Sequence, residues 1–218
     1  MLPWFPAPYL FIPRGLRYWQ SPVITTSQPI ELPPGFATVC VVTVGQGAAA
    51  TSLTSGPGGS LRYRNAFPVD PAGDLLEAII DASSSRVTIG TTIIARANAG
   101  GGASPAGNIG TGFNGGAGQT VVTQESRRGG GAGGYTSNGT TSTSDISRGG
   151  QGLDVFGRRL PGGGQRSNNT PAGEDFGGGG GNRYNSDGSR TLGAGGAGAV
   201  RLIAGPGRAF PNTLTEDM

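Results

Sequence analysis

The sequence predicts an all-β protein: a small antiparallel β sandwich with an inserted glycine-rich, polyglycine-II-like layer and an extended N-terminal arm. Three observations carry that prediction. Of 218 residues, 44 are Gly and 16 are Pro, against ordinary usage of about 7% and about 5%. These are the two poorest helix formers, so a helical bundle is excluded. Several β-branched runs of strand length are punctuated by turn residues. The glycine is also uneven, with 33 residues of it between positions 100 and 199 and nine before position 100.

Residues 1–22 read as an aromatic arm broken by prolines. Trp4, Phe5, Tyr9, Phe11, Tyr18 and Trp19 are six of the 15 aromatic residues in the chain. Pro3, Pro6, Pro8 and Pro13 favour extended or polyproline-II geometry there. Such an arm cannot bury its rings against itself. It packs either on its own domain or on a partner, for which aromatic side chains are the common anchors.

The remainder, 23–218, reads as a single glycine-rich β domain. Residues 36–44 follow the turn Pro33-Pro34-Gly35 and form a β-branched run whose mixed character predicts burial on both faces. Within it Cys40, the one cysteine, reads as a small buried hydrophobe without a disulfide partner. Residues 61–64, 75–80, 86–89 and 92–95 follow at turn-punctuated intervals that suit antiparallel strands. Residues 74–81 also fit two helical turns, because Leu75, Leu76, Ile79 and Ile80 match a 3.6 period. Strand is the preferred reading.

Residues 97–198 are the glycine-rich region, with runs at 100–102, 129–131, 162–164 and 177–181. No Gly-X-Y register persists, which excludes collagen. The tract lies between two strand-like segments, whereas a flexible linker would join two separate cores. Ordering 33 glycines rather than alanines costs about 16–33 kcal/mol, an upper figure because polyproline-II-like states resemble the unfolded chain. Apolar burial cannot offset that cost. Close stacking of bare backbones, each bonded laterally through its N–H and C=O, can. Residues 177–181 would then span about 15 Å at the polyproline-II rise. Residues 199–203 return to strand before a tail to 218, and that strand must pair with the early ones.

Composition also bounds function. There is no His, and all 16 basic residues are Arg. Imidazole nucleophile dyads and imidazole-liganded zinc are therefore excluded, as are the Walker A lysine and Schiff-base chemistry. No enzyme activity, catalytic residue, metal or cofactor is expected. A net charge of +3 predicts no strong attraction to nucleic acid. No apolar stretch approaches the ~20 residues of a membrane span, and the first residues do not read as a secretory signal. A cytoplasm or an assembled particle is the expected compartment.

The ending Gly193-Ala-Gly-Gly-Ala-Gly-Ala-Val-Arg-Leu-Ile203, followed by Gly205-Pro-Gly-Arg-Ala-Phe-Pro-Asn-Thr213, resembles the closing signature of glycine-rich virion proteins of tailed phages. Residues 30–45 are similar to that family's opening strand, and residues 61–71 to its middle strand and turn. The family includes adhesins at the tips of T-even-type long tail fibres, in which stacked polyglycine-II helices carry receptor-contacting loops. The resemblance implies a non-enzymatic virion protein in a tail- or fibre-associated host-recognition role. Its implied partners are other virion proteins, copies of itself, and a bacterial surface glycan or outer-membrane protein.

By that resemblance the receptor-facing loops are 108–114, 135–147, 165–176 and 182–189. Asn108, Asn114, Tyr135, Asn138, Arg166, Asn168, Asn169, Arg183, Tyr184 and Asn185 are the candidate contact residues. Ala204 stands where the family often has Trp, and the stretch ahead of residue 30 is too small for the large attachment domain of the tip adhesins. That leaves the aromatic arm as the anchoring device. Head decoration, or a minor capsid or neck position, is the second reading.

The sequence carries two weaker signals. Residues 126–134 and 147–152 resemble RGG segments that bind RNA, but they are only two clusters carrying three arginines, and strands flank them. The Gly45-Gln-Gly47 run after a strand lacks the rest of a dinucleotide fingerprint.

Overall fold

The computed structural model describes residues 18–100, 107–120, 126–141, 172–173 and 176–211. Trp4, Phe5, Tyr9, Phe11, Arg166, Asn168 and Asn169 lie outside the described residues, as do the RGG-like residues 147–152. The described strands are β1 (Trp19–Gln20), β2 (Gln28–Glu31), β3 (Thr38–Val44), β4 (Leu61–Pro68), β5 (Leu75–Ile80), β6 (Ser84–Ile89), β7 (Thr92–Asn98), β8 (Asn182–Tyr184), β9 (Arg190–Leu192) and β10 (Ala199–Ala204). They form two four-stranded sheets, ordered β1-β10-β3-β4 and β2-β5-β6-β7, and the separate hairpin β8-β9. Every pairing is antiparallel.

The two large sheets bury a core of Ile30, Leu32, Val39, Val41, Leu76, Ala78, Val87, Ile94, Val200 and Leu202. β3 is covered on both faces, as its unbroken apolar run required. Val39 and Val41 face the other sheet, while Cys40, Val42 and Val44 face a second cluster with Leu61, Ala132, Tyr135, Ile203 and Phe210. The closing strand inserts between β1 and β3, with Val200 opposite Thr43 and Leu202 opposite Val41. The closing strand is therefore an interior strand of the sheet.

Residues 75–80 resolve as strand. Leu76 and Ala78 point inward and Glu77 outward, and Leu76 pairs with Ile30 on one side and Ile89 on the other. A helix there would have forfeited both ladders. β2 had no strand signal because Pro29 interrupts it; proline is tolerated on this edge strand. Trp19, assigned to the arm, instead forms β1 and packs half-buried against the inter-sheet core. Its own domain satisfies that ring.

Three strands continue past the sandwich without a turn, and the fourth, β7, leaves it through a bend at Ala99 and Gly100. β3 runs into residues 45–50 and β7 into 99–100, while residues 55–60 lead into β4 and 193–198 into β10. With residues 113–120, 127–134, 138–141 and 177–181 they form a bundle on one end of the sandwich. Its order lies in the spacing of its hydrogen bonds. Ser55, Gly58 and Leu61 donate to Gln119, Gly116 and Phe113; Gly56 and Gly59 donate to Gly180 and Gly177. The carbonyls of Gly56 and Gly59 accept from Gly130 and Gly133, and those of Pro57 and Ser60 from Ala48 and Gly45. Every third residue addresses the same neighbour. That is the mark of an extended helix with three residues per turn and no internal hydrogen bonds.

The same spacing recurs at the other side of the bundle. Gly47 and Ala50 donate to Gly196 and Gly193 at 2.9 Å, and those two donate in turn to Gly178 and Gly181 at 2.7 and 2.8 Å. The described glycine-rich segments thus form a polyglycine-II layer bonded in several directions, and segment 55–60 lies inside it. In the sandwich, side chains hold the sheets about 10 Å apart. Beyond Val44 and Asn98 the side chains vanish, and the layers close until main chains bond each other. A Cβ on Gly45 would collide with the Asn98 carbonyl, and one on Gly58 with the Gly131 carbonyl.

Gly58→Ala should lower stability by about 1–3 kcal/mol, the usual range for overpacking a rigid interior. Gly35→Ala meets no atom within 4 Å and carries only the strain of its φ of 101°. It should cost about 1 kcal/mol. Urea denaturation of the two variants side by side measures the difference.

Candidate functional site

The bundle segments alternate in direction, so their connections gather at two levels. Near the sandwich, the Leu61 N–H meets the Phe113 carbonyl. At the opposite end lie the turn 51–54, the stretch around Thr120, the residues 126–127 and the β8-β9 hairpin. Thr54 bridges Thr120, and Arg127 bridges Asn182, with both N–H···O bonds of the latter pair at 2.7 Å. The Tyr184 N–H adds a bond to Ser126 Oγ at 3.0 Å. Four chain segments that are far apart in sequence form one continuous end face.

Asn182 fixes that face. Its side chain is buried; Nδ2 donates to the Thr51 carbonyl at 2.6 Å and Oδ1 accepts from Arg190 Nη1 at 2.9 Å. The hairpin is thereby tied to the turn 51–54. That turn is closed by Thr51, whose N–H donates to the Thr54 carbonyl and whose Oγ1 accepts the Thr54 N–H at 2.9 Å. In the hairpin the Arg190 guanidinium lies 5.3 Å from the centre of the Tyr184 ring. Asn185 Nδ2 donates to Ser189 Oγ and Thr191 Oγ1 at 2.9 and 3.0 Å. Asp187 accepts from the Ser189 hydroxyl and N–H, and the hydroxyl bond, with the N–H second, holds its carboxyl below the usual range. It stays ionised at neutral pH and serves as a turn brace.

The exposed surface of this end combines Thr51, Ser52, Thr54, Arg183, Ser186 and Thr191 with two large apolar side chains, Leu53 at 70% and Leu192 at 47% exposure. Hydroxyls, an arginine and two leucines on a braced frame suit recognition of a surface by hydrogen bonds and apolar contact. Among the described residues no three His, Cys, Asp or Glu side chains come together, and no helix is long and apolar enough to cross a membrane.

The sequence-derived contact residues divide. Arg183, Tyr184 and Asn185 lie on this end face. Asn108, Asn114 and Asn138 do not; they act as braces near the sandwich. Asn108 Oδ1 accepts the Asn98 N–H at 2.9 Å, Asn114 Oδ1 accepts from Arg62, and Asn138 Oδ1 accepts the Asn114 N–H at 2.9 Å. The segment they stabilise bridges both sheets, with Ile109 opposite Arg96 and Thr111 opposite Tyr63.

Tyr135 is a correction. Its side chain is 4% exposed and forms part of the cluster under sheet β1-β10-β3-β4, between Tyr63 at 5.5 Å and Phe210 at 6.1 Å. Glycine neighbours made it look like a loop residue. It is instead the side chain that seats the bundle on the sandwich. Its hydroxyl has no hydrogen-bond partner, and burial pushes its pKa up well beyond the ordinary tyrosine value. Tyr18 stays partly exposed with the Arg208 guanidinium 4.9 Å from its ring centre. The turn 51–54 was missed, although Thr51-Ser-Leu-Thr54 breaks two stretches of small residues.

An antiparallel β sandwich that runs into a polyglycine-II bundle defines a glycine-rich β domain. The profile of the glycine-rich domain family matches residues 22–211, and the chain belongs to that family. No curated protein gives a significant match.

Tyr135→Phe should leave stability unchanged or raise it by up to about 1 kcal/mol, because the buried hydroxyl is unpaired. Tyr135→Ala should cost about 3–5 kcal/mol through the cavity. Thermal melts of both distinguish packing from hydrogen bonding at this site. Asn182→Ala should cost about 1–3 kcal/mol and speed hydrogen exchange in residues 51–54 and 183–191 before the sandwich amides respond.

Proposed function

We propose that the protein is a non-enzymatic structural component of a tailed-phage virion with a tail- or fibre-associated host-recognition role. The observation that carries this reading is the end face of the bundle, where loops from four segments are held by main-chain bonds on a support almost free of side chains. A rigid, polar, loop-bearing tip of this kind serves recognition of another surface better than it serves turnover of a small molecule. The closing-strand resemblance supports the same reading. Its receptor class is a bacterial surface glycan or outer-membrane protein, its neighbours are other virion proteins and copies of itself, and its location is the virion.

Replacing residues 183–191 by a short Gly-Ser turn, in particles otherwise intact, tests the role. Adsorption to the host should fall by an order of magnitude or more while incorporation of the protein stays normal. Immunogold on the same particles should label the tail or its fibres. Gold on the head, together with unchanged adsorption, would replace this reading by that of a decoration protein.

A further inference from the structure

Alanine enters the bundle in distinct settings. Ala50 and Ala132 are buried, and Ala132 faces the apolar cluster with Tyr135. Ala49, Ala117, Ala194 and Ala197, on three different segments, are exposed. Among the described residues their four N–H groups have no hydrogen-bond acceptor. Glycine occupies the inward positions of the same segments. A Cβ on Gly47 would meet the Gly178 carbonyl, one on Gly116 the Thr140 carbonyl, and one on Gly195 the Gly47 carbonyl. Ala194 and Ala197 accept from Gly173 and Gly177 through their carbonyls, so main chain lies beside them on that side. Within these segments glycine stands where a Cβ would meet a neighbouring main chain, and these four alanines stand at exposed positions.

A polyglycine-II segment bonds laterally in several directions, so an open flank with a free N–H presents the hazard of an unpaired sheet edge. It can accept another chain. We propose that the methyl groups of Ala49, Ala117, Ala194 and Ala197 are lateral stops that keep a glycine segment from a second copy of this chain from approaching to bonding distance. The methyls leave the segments' geometry intact, because all four residues are exposed. They limit growth of the lattice without a charge or a proline. This inference is independent of the virion role, since it concerns how any free copy behaves in solution.

The test compares the full chain with the quadruple variant A49G/A117G/A194G/A197G and with the same four positions changed to Ser. Sedimentation velocity over a hundredfold range of concentration is the readout. The glycine variant should form larger species at concentrations at least tenfold below those at which the wild type does, and the serine variant, which keeps a Cβ, should match the wild type. Identical sedimentation of the glycine variant and the wild type overturns the proposal. Equal association of the serine and glycine variants also overturns it, because the Cβ would then not be the stop. The pairs A49G/A117G and A194G/A197G are measured alongside with their melting transitions. Should the quadruple variant lack a cooperative transition, the same criteria apply to whichever pair retains one.

Discussion

The structure depends on one constraint: main chains approach to hydrogen-bonding distance in more than one lateral direction. A β-sheet bonds within a plane and uses side chains to separate planes. Here the segment 55–60 bonds to residues 45–48 on one flank, 113–119 and 130–133 on others, and 177–180 on a further one. Any Cβ pointing into that crowd would land on a carbonyl, as at Gly56 against Ala48 and Gly179 against Gly56. Glycine is required there for close approach, with conformational freedom a secondary matter. The lateral bonds offset the entropy that makes such a sequence look disordered.

The apolar core and the glycine bundle are one continuous object. β3 and the segment that follows it belong to both, and Val44, the last strand residue, packs in the same cluster as Ala132 and Tyr135 from the bundle. Beneath the outer sheet Cys40 contributes an Sγ that accepts the Ala66 N–H and donates to the Arg208 carbonyl. Desolvation raises its pKa, although the Ala66 bond works against that. Phe210 seals the cluster while Asn65 clasps its backbone in both directions, at 2.7 and 2.9 Å. The C-terminal strand and turn therefore complete the core that supports the bundle.

Much of this was legible from the residues. The run 36–44 announced a strand buried twice over, the closing strand had to pair early, and the uneven glycine argued for an ordered layer. Other features were hidden for physical reasons. Pro29 masked an edge strand, and short hairpins such as β8-β9 carry no periodicity. Tyr135 looked exposed because composition around it was polar and small, yet its ring is held by residues 63 and 210, remote in sequence. The end face was half legible. Residues 183–185 could be singled out, but the turn at 51–54 joins them through Asn182, a contact that no local pattern encodes.

The unbroken passage of β3, β4 and β10 into bundle segments has a mechanical meaning. A pull on the outer end is carried along covalent backbone straight into the sheet β1-β10-β3-β4, with no loop at these junctions to act as a hinge. Bending would require many lateral bonds to shear together instead of opening singly. The molecule is built as a stiff strut rooted in its own β framework, and load at its tip is shared among strands from both ends of the chain.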